Sequence, residues 1–461
     1  MPRGQVEIPF CVSGPGFAPD LEFIASSAGI TPAETLARFC AGDYHVEFMG
    51  FAPGFGYLGG LDPALHVPRL DAPRPRIEPG SVAVAGPRAG VYPLATPGGW
   101  RILGRTPLTM FDALRDEPSL LTPDARVTFR LIDLSEFEQL RASEDGAIAR
   151  RSQATSAVNG PAWARVRFAG QLTTIQDLGR FGHEAIGVSC SGAADLRSHA
   201  AGQALVGNAP HAASLEMTLV GAQLEILAPV IVALTGAYVA ATVEQRSGRL
   251  VELPIGQALS LEPGEVLRMH AIGAAEAPRG MRTYLSVRGG IGAARVLGSR
   301  STHLASRLGP APLRAGDTLH MAHDHTNTGP SAPLPQTERD ARAGAVALAT
   351  LRVTPGPHAD GRALAAMDRA RFLVDPRSDR VGVRLDGDEL PGGTGSMLSV
   401  PTRRGDIQLP PSGRPIILSA DAPTTGGYPI LARVIDADLP AVGQLRPGEE
   451  IRLALVPEQH R

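Results

Sequence analysis

The pattern of apolar and polar positions predicts one strand and two helices at the start of the chain. The segment VEIPFCV predicts a strand, and a short helix is expected to follow it, with Asp20 as its N-cap and Gly29 as its end. A capping box of Thr31 and Glu34 predicts a second helix directly afterwards. The chain is therefore expected to begin with a short helical segment.

From His45 onward the pattern changes to short apolar stretches separated by glycine and proline, and it stays so almost to the end. The chain contains 53 Gly and 41 Pro, and helical periodicity is weak after this point. This pattern of short apolar stretches is typical of barrels and sandwiches built from short strands. The predicted fold class is mainly β.

A sequence motif that occurs three times indicates how many β units the chain contains. Each copy combines a leucine, a tight polar turn and an alternating strand, and the copies lie at 120–132, 312–321 and 444–453. Each copy predicts the closing strand of a separate β unit. The sequence therefore predicts three β units.

Two segments of small and polar residues divide these units. The first, 141–162, predicts a linker between an N-terminal domain at 1–140 and a C-terminal part at 163–461. The second lies at 323–344, so the C-terminal part is expected to hold two barrels, at about 163–322 and 345–461. His320, His323 and His325 lie near this second segment without an acidic or cysteine partner at ligand spacing, so no metal site is predicted there.

Composition excludes several kinds of partner. The formal net charge of −2 provides no basic field for nucleic acid. No apolar run approaches the roughly 18–20 residues of a membrane span, and the N-terminus lacks the apolar stretch of a signal peptide, so a cytoplasmic location is expected. The three cysteines are too few and too far apart to predict a disulfide framework or a metal site.

The chain contains no lysine, so all 44 basic residues are arginine. Biotinyl-lysine, a Schiff-base lysine and a P-loop lysine each need the primary amine, and none of them is possible here. Any biotin must therefore be carried on another chain. Phosphate, if it binds, must be met by arginine, backbone N–H groups or a metal ion.

Several motifs carry a resemblance to a known pair of proteins. Residues 8–133, with GFAPGFGYLGGL and PGGWRILGRTP, resemble the B subunit of bacterial 5-oxoprolinase, also called allophanate hydrolase subunit 1 or the Kip family. Residues 165–454, with TTIQDLGRFG, SDRVGVRLDG and TTGGYP, resemble the C subunit. The chain is thus similar to a fusion of the two subunits.

The resemblance implies cyclophilin-like β-barrels, one in the B part and two in the C part. It also implies a partner, a LamB/YcsF-type A subunit, with which such subunits open 5-oxoproline to glutamate using ATP; Mg²⁺ is inferred with ATP, and an oligomer is expected. The same two modules form the carboxyltransferase region of urea carboxylase. Three departures from the family pattern are expected to matter. The small N-terminal domain usual in the B subunit is expected to be absent, Ile430 stands where lysine often follows TTGGYP, and Gln203 precedes LVGN where an asparagine-containing stretch is usual.

The candidate substrates share an N–C=O group, so donors arranged for a developing oxyanion are the expected chemistry. Five residues of the C part are candidates for catalysis. They are Asp177, Arg180, Glu216, Thr425 and Tyr428. Asp177 and Arg180 either face metal, amide, phosphate or carboxylate groups, or form an internal pair that braces a turn. Glu216 lies in a strand-like stretch, and if it faces a barrel interior it must be paired or functional.

Further C-part residues are candidates for binding substrate or nucleotide: Gln176, Ser191, Asp195, Ser299, Arg300, Ser301, Thr302, Arg380, Gln408, Thr424, Gly426 and Gly427. Several of them have a structural alternative. Ser191 and Asp195 allow a close backbone approach or form a helix N-cap, and the GSRST stretch at 298–302 is an anion cradle or a turn closed by its own hydroxyls. Arg380 and Arg384 share one face of a strand, either as phosphate contacts or as solvated surface.

Candidates in the B part form a ligand-side or subunit-facing loop and an aromatic plate beside a guanidinium. They are Pro53, Gly54, Tyr57, Gly98, Trp100, Arg105 and Thr106. A packing corner is the alternative for the loop, and a core anchor is the alternative for Trp100.

Three functions compete at this level. The favoured one is a fused B and C component of 5-oxoprolinase. The second is a biotin-dependent carboxyltransferase that acts on urea or a related amide. The third is a regulator without enzyme activity that binds a sensor kinase.

Overall fold

The computed structural model describes residues 4–155, 160–273, 280–323, 350–392, 397 and 399–456. Its internal contacts divide the chain into two compact units. Unit 1 comprises Met1–Ser156, Gly182–Ser189 and Pro423–Thr425, and unit 2 comprises Ala157–Phe181, Cys190–Ala422 and Gly426–Arg461. Within the described residues, no helix has the length and apolar character needed to span a membrane.

Both predicted N-terminal helices are present, as α1 (Leu21–Ala28) and α2 (Pro32–Cys40). Gly29 ends α1 in the left-handed conformation with φ 66°, and Thr31 Oγ1 accepts the Glu34 N–H at 3.2 Å, as the capping box predicts. Asp20 is the N-cap residue of α1, as predicted, but its side chain makes no capping hydrogen bond. Its carboxylate instead accepts hydrogen bonds from the backbone N–H of Ile102 and from Arg74, since these donors occupy both of its oxygens.

Unit 1 is built on a seven-stranded sheet with the order β1-β9-β2-β3-β6-β5-β8, and a separate pair is formed by β4 and β7. Its apolar core includes Ile8, Phe39, Val46, Leu58 and Val127. The strands are β1 (Gln5–Phe10), β2 (Tyr44–Met49), β3 (Gly56–Gly59), β4 (Arg74–Ile77), β5 (Ser81–Ala85), β6 (Arg88–Val91), β7 (Thr96–Gly98), β8 (Arg101–Arg105) and β9 (Arg126–Leu131).

A long helix, α3 (Leu134–Thr155), follows β9 and includes much of the segment predicted as the first linker. Residues 141–155 are therefore helical instead of irregular. Helix α3 contains several alanine, arginine and glutamate residues, which favour helix even without an apolar face. The Arg141–Asp145 pair, at i and i+4, adds support on the exposed side. The domain boundaries proposed from the sequence remain predictions.

The first part of unit 2 consists of two sheets around a common apolar core. One has the order β16-β15-β18-β13-β10-β21-β20 and the other the order β11-β12-β19-β14-β17. Helix α4 (Leu196–Val206) packs against β14 and β19. The strands are β10 (Ala162–Phe168), β11 (Leu172–Gln176), β12 (Ser214–Thr218), β13 (Gln223–Ile226), β14 (Val230–Gly236), β15 (Val239–Glu244), β16 (Leu250–Glu252), β17 (Ala258–Leu261), β18 (Val266–Ile272), β19 (Arg282–Val287), β20 (Ile291–Gly292) and β21 (Thr318–Met321).

The second part of unit 2 is a closed barrel with the order β22-β29-β26-β27-β24-β23-β30. Its strands and those of the small pair β25–β28 are β22 (Thr350–Pro355), β23 (Phe372–Val374), β24 (Gly382–Gly387), β25 (Val400–Pro401), β26 (Asp406–Gln408), β27 (Ile416–Leu418), β28 (Thr425–Gly426), β29 (Ile430–Val434) and β30 (Glu450–Leu455). Its helices are α5 (Gly361–Arg369) and α6 (Leu439–Val442), and short 3₁₀ turns occur at Pro63–Leu65, Glu184–Ile186 and Asp436–Asp438.

The three copies of the repeated motif do form closing strands. In each β unit the last strand pairs with the first: β9 with β1 in parallel, β21 with β10 in antiparallel, and β30 with β22 in parallel. The predicted mainly β fold class, with barrels and a short helical N-terminal segment, is confirmed. Of the second predicted linker, most residues, including His325, lie outside the described residues.

Candidate active site

Asp177 lies directly after β11 and is almost fully buried, with 5% of its surface exposed. Its carboxylate accepts hydrogen bonds from the backbone N–H groups of Gly179 at 2.8 Å and Arg300 at 2.7 Å. It also accepts from the hydroxyls of Ser299 at 2.7 Å and Ser301 at 2.5 Å. These bonds tie the end of β11 to residues 299–302, which lie more than a hundred positions later in the sequence.

The same contacts bear on the two interpretations of the GSRST stretch. Its serine hydroxyls and one backbone N–H already donate to Asp177, and Thr302 Oγ1 donates to the Pro310 carbonyl at 2.8 Å. The donors that a phosphate would need are thus engaged by groups of this chain. The geometry favours a turn closed by hydroxyl groups over an anion cradle.

Arg180 is a buried guanidinium with few hydrogen bonds. Its side chain is 1% exposed, and Nη2 donates to the carbonyl of Ser301. Within the part of the chain that the structure describes, Nε and Nη1 have no hydrogen-bond partner, and no ion pair joins Arg180 to Asp177. Burial lowers the pKa of Arg180, and the nearby charges of Asp177 and Asp421 oppose that shift. Asp177 and Arg180, predicted as an internal pair, therefore interact only through their charges and not through a hydrogen bond.

Arg380, which precedes β24, connects the two parts of unit 2. It donates to both carboxylate oxygens of Asp421 at 2.9 Å, to the carboxylate of Glu216, and to the carbonyl of Gly192 at 2.7 Å. Arg380 is 4% exposed whereas Arg384 is exposed, so the two do not share an environment. Solvated surface, the favoured alternative for Arg380, is wrong, because the side chain is buried between two carboxylates.

Glu216 lies on β12, opposite Tyr284 on β19, and faces the interior. Besides Arg380, it accepts from the Tyr284 hydroxyl at 2.7 Å and the Ala194 N–H at 2.8 Å, and Arg282 Nε lies 3.5 Å away. Burial alone would raise the pKa of Glu216, but Arg380 and Arg282 outweigh it and hold the pKa below its usual value. Burial and the charge of Glu216 raise the pKa of Tyr284 well above its usual value.

Asp421 has a similar environment at the other end of Arg380. Burial would raise its pKa, but the guanidinium of Arg380 outweighs that effect and lowers it. The Ser191 hydroxyl lies 2.7 Å from Asp421 Oδ1 and 3.2 Å from the Thr302 carbonyl. His303 is close by, and burial lowers the pKa of its imidazole. Ser191, predicted as a binding residue, therefore takes part in a buried polar network that includes Asp421.

Asp195 caps helix α4. Its carboxylate accepts from the backbone N–H of Ser198 at 3.0 Å and from the Ser198 hydroxyl at 2.6 Å. Gln444 donates to its second oxygen at 2.9 Å. The helix N-cap, given as the alternative for this residue, is therefore the observed role.

Gln176 is fully buried at the end of β11. Its Nε2 donates to the Thr302 carbonyl and to the Thr174 hydroxyl, both at 3.0 Å. A carbonyl only accepts hydrogen bonds, so the contact with Thr302 fixes which end of the amide carries nitrogen. Oε1 is then a buried acceptor for which the described residues provide no donor.

The TTGGYP motif divides between the two units. In unit 1, Thr425 Oγ1 accepts the N–H of Phe51 at 2.8 Å, and the hydroxyl of Thr424 is buried without a partner in the described residues. In unit 2, Tyr428 is 36% exposed, and the Gly427 carbonyl accepts the Met397 N–H at 3.0 Å.

Gln408, on β26, lies against this motif. A Cβ on Gly426 would lie only 2.2 Å from Gln408 Nε2, so a larger residue at that position would require the Gln408 side chain to move. Tyr428 is the exposed member of the predicted catalytic set, because Asp177, Arg180, Glu216 and Thr425 are all buried.

The predicted B-part residues belong to unit 1 and are mostly packed. Tyr57 stacks on Phe48 with ring centroids 4.3 Å apart, and Trp100 packs edge-on against both Tyr57 and Phe55. Tyr57 and Trp100 are each 6% exposed. The geometry favours the core-anchor interpretation of Trp100 and the packing-corner interpretation of the loop.

The other unit 1 candidates have structural contacts as well. Pro53 and Gly54 are buried and Gly98 is half-buried. Arg105 Nε donates to the Pro79 carbonyl at 3.1 Å, and burial lowers its pKa. Thr106 Oγ1 accepts the Leu108 N–H at 3.2 Å.

Sequence reasoning missed several members of the network in unit 2. They are Arg282, Tyr284, His303, Arg404, Asp421 and Gln444. Asp421 lies three residues after the apolar strand β27, and Tyr284 lies within β19, a strand whose residues are all buried. A polar residue inside or shortly after a buried strand was the available signal.

The buried polar network in unit 2 consists of Gln176, Asp177, Arg180, Ser191, Asp195, Glu216, Arg282, Tyr284, Ser299, Ser301, Thr302, His303, Arg380, Arg404, Asp421 and Gln444. In the described residues, no group of three or more His, Cys, Asp or Glu side chains is placed to hold a metal ion. The arrangement lowers the pKa of Glu216 and Asp421, and it leaves Nε and Nη1 of Arg180 and Oε1 of Gln176 buried without a hydrogen-bond partner in the described residues.

Comparisons with known proteins identify two family models that match separate parts of the chain. A family model described as carboxyltransferase domain, subdomain A and B, matches residues 186–455, and one described as subdomain C and D matches residues 2–121. The chain is 35% identical over 292 residues to the C subunit of 5-oxoprolinase from Haemophilus influenzae, covering 61% of this chain and 88% of that protein.

The N-terminal part has a relative of its own. It is 47% identical over 124 residues to the B subunit of 5-oxoprolinase from Escherichia coli O157:H7, and the match covers 27% of this chain and 56% of that protein. The chain thus spans about half the length of this relative. A solved structure, TTHA0988, is 34% identical with a TM-score of 0.80, and the match covers 98% of this chain and 86% of that one.

Proposed function

Because the chain belongs to the carboxyltransferase-domain family, we propose that it supplies the B and C parts of an ATP-dependent 5-oxoprolinase. The reaction opens the lactam of 5-oxoproline to give L-glutamate. The observation that carries the proposal is that this single chain matches two different subunits. The matches cover 88% of the length of a C subunit and 56% of the length of a B subunit.

The site chemistry supports the proposal. Hydrolysis of a lactam develops negative charge on the carbonyl oxygen, and donors held rigidly in a water-poor site stabilise such charge. In unit 2, Arg180 offers unpartnered N–H groups, and the contacts of Asp177 and Arg380 hold the surrounding loops in place.

The proposal includes a separate partner and cofactor. The enzyme is completed by a LamB/YcsF-type A subunit, ATP activates the lactam, and the complex acts in the cytoplasm, with an oligomer as the expected state. The described carboxylates do not fit a Mg²⁺ site, since Asp177, Glu216 and Asp421 are all engaged by donors of this chain. In the proposal Mg²⁺ therefore accompanies ATP, and no step is assigned to a metal on this chain.

The test is reconstitution. The chain, an A subunit of established competence, 5-oxoproline, ATP and Mg²⁺ are combined, and glutamate is measured with time. Glutamate should form only when both proteins and ATP are present. The positive control pairs the same partner with authentic B and C subunits, and absence of glutamate with this chain alone in their place would exclude the proposal.

The family models favour a second candidate, because both are described as carboxyltransferase domains. The chain would then transfer a carboxyl group from biotin on another protein to urea or a related amide. Incubation with free carboxybiotin and urea distinguishes the candidates. Amide-dependent loss of carboxybiotin together with no glutamate formation in the first assay would favour the carboxyltransferase.

A further inference from the structure

Arg180 is a buried cation whose hydrogen bonds are mostly unmade. One of its nitrogens donates to the Ser301 carbonyl, and the described residues provide no acceptor for Nε and Nη1. A buried charged group that lacks hydrogen bonds carries a substantial free-energy cost. A ligand that accepts these bonds would remove that cost.

The neighbouring carboxylates do not provide this acceptor. Asp177 is saturated by two serine hydroxyls and two backbone N–H groups. Asp421 accepts two bonds from Arg380 and one from Ser191. Both attract Arg180 through space without bonding to it, so Nε and Nη1 are buried donors for which the described residues provide no acceptor.

A buried acceptor without a donor lies on the same part of the chain. Gln176 Nε2 bonds to the Thr302 carbonyl, and Arg180 Nη2 bonds to the carbonyl of the preceding residue, Ser301. The two side chains are therefore anchored to consecutive peptide groups. Together they offer donors for an anion and an acceptor, Gln176 Oε1, for an N–H group.

We propose that Arg180 binds the carboxylate of a small acid that also carries an amide N–H, and that Gln176 Oε1 accepts this N–H. The inference deepens the proposed function and rests on it for the choice of substrate, since 5-oxoproline carries its carboxylate and its ring N–H on the same carbon. A monoanion suits the site better than a phosphate dianion, because Asp177 and Asp421 already place negative charge beside Arg180.

Titration calorimetry on the full chain tests the ligand class with four probes. These are 5-oxoproline, 2-pyrrolidinone, propionate and inorganic phosphate. Of these, 2-pyrrolidinone has the same ring as 5-oxoproline but lacks the carboxylate. The wild-type chain should bind 5-oxoproline more tightly than 2-pyrrolidinone. The R180Q variant should weaken 5-oxoproline binding by about ten- to a hundredfold, the range for a hydrogen bond to a charged group.

The matched control is R371Q, which removes an exposed arginine that pairs with Glu450. This variant should bind 5-oxoproline like the wild-type chain. Equal binding of 5-oxoproline by R180Q and R371Q would overturn the inference, and so would binding of phosphate in preference to both carboxylates.

A second variant keeps the test decisive if R180Q does not fold. In a chain without lysine, R180K introduces the only lysine side chain, whose ammonium keeps the positive charge. An amine-reactive reagent followed by peptide mass spectrometry should label this position, and saturating 5-oxoproline or propionate should protect it. Labelling that is absent, or that neither carboxylate reduces, would contradict the inference.

The outcomes also separate this inference from the proposed function. If propionate binds in an Arg180-dependent manner but 5-oxoproline does not, the carboxylate site is correct and the substrate assignment is wrong. If glutamate forms in the reconstituted reaction at equal rates with R180Q and wild-type chains, the function is correct and the role of Arg180 is wrong.

Discussion

Arg380 neutralises two buried carboxylates at once, so its removal is expected to destabilise unit 2 strongly. In R380M, Asp421 loses both guanidinium bonds and Glu216 loses the shorter of its two arginine contacts. Breaking a buried ion pair from one side typically costs about 3–5 kcal/mol. Urea denaturation at neutral pH should show a decrease of this size in the free energy of unfolding.

The control for this prediction is R371Q, since the Arg371–Glu450 pair is largely exposed. An exposed pair contributes at most about 1 kcal/mol. Adding D421N to R380M should recover part of the loss, because it removes a charge left without its partner. If R380M and R371Q lost similar stability, Arg380 would not have the structural role assigned to it.

The pH dependence of the same variant provides a second test. In the wild-type chain Arg380 holds the pKa of Asp421 below its usual value against the effect of burial, so the pair stabilises the fold at neutral pH and loses this effect as the pH falls through the folded-state pKa. In R380M the guanidinium is gone, so burial raises the pKa of Asp421. Protonation of Asp421 then removes an unpaired buried charge as the pH falls, and the variant regains part of its stability.

The stability difference between wild type and R380M should therefore be larger at pH 7 than at about pH 4.5, near the ordinary carboxyl range. Denaturant titrations of both proteins at the two pH values measure it. Burial is the largest cause of the lowered pKa of His303, but Arg380 lowers it as well, so both proteins are compared in an H303Q background that removes this titration. A difference that does not change with pH would mean that Asp421 is not ionised in the native state.

Single residues were the hardest part to predict from the sequence. The orientation of Glu216 could not be read from alternation, because every residue of β12 is buried and both faces of the strand are covered. Arg380 bonds to a residue 164 positions away, a contact that no local pattern contains. Asp195 and Thr31, whose partners lie within three residues, could be interpreted from the sequence, since the caps of helices are local.

Among the structural elements, the closing strand β30 provides a direct test of register. Leu453 pairs with Leu351 in parallel, and both side chains are fully buried in the barrel core. Leu453→Ala should cost about 2–5 kcal/mol. The neighbouring Arg452 is exposed, so Arg452→Ala should change stability by less than about 0.5 kcal/mol. Thermal denaturation of the two variants compares them, and equal losses would contradict the register.

Elements with strict alternation or local end signals were predictable, and elements without an apolar face were not. The three closing strands share a turn followed by alternating residues, which the sequence shows directly. Helix α3 has no strong apolar face, so its alanine, arginine and glutamate residues were interpreted as a polar linker. Helix propensity acts through the backbone, and a search for amphipathic patterns does not detect it.

At the scale of the whole chain, the sequence predicted the mainly β class, the three β units and the family. It did not predict the polar network of unit 2, because its members come from both β units of the C part, between Gln176 and Gln444. The network needs side chains from both parts, such as Glu216 and Arg380. Recognition of motifs identified many of its residues, and only three-dimensional geometry showed which of them meet.

The two tryptophans allow each unit to be followed separately, since Trp100 lies in unit 1 and Trp163 is fully buried in unit 2. In a W100F background only Trp163 emits, and in a W163F background only Trp100 does. Because the contacts of Arg380 lie within unit 2, R380M should lower the denaturation midpoint reported by Trp163 more than the one reported by Trp100.

The two backgrounds without R380M are the controls, and each midpoint shift is taken against its own background. This cancels the effect of the tryptophan replacement itself, as long as the two substitutions are far apart and additive. A larger shift at Trp163 would place the stabilising effect of Arg380 in the unit that contains its carboxylate partners. Equal shifts would mean that the whole chain unfolds as one cooperative system, in which the local network sets the stability of both units.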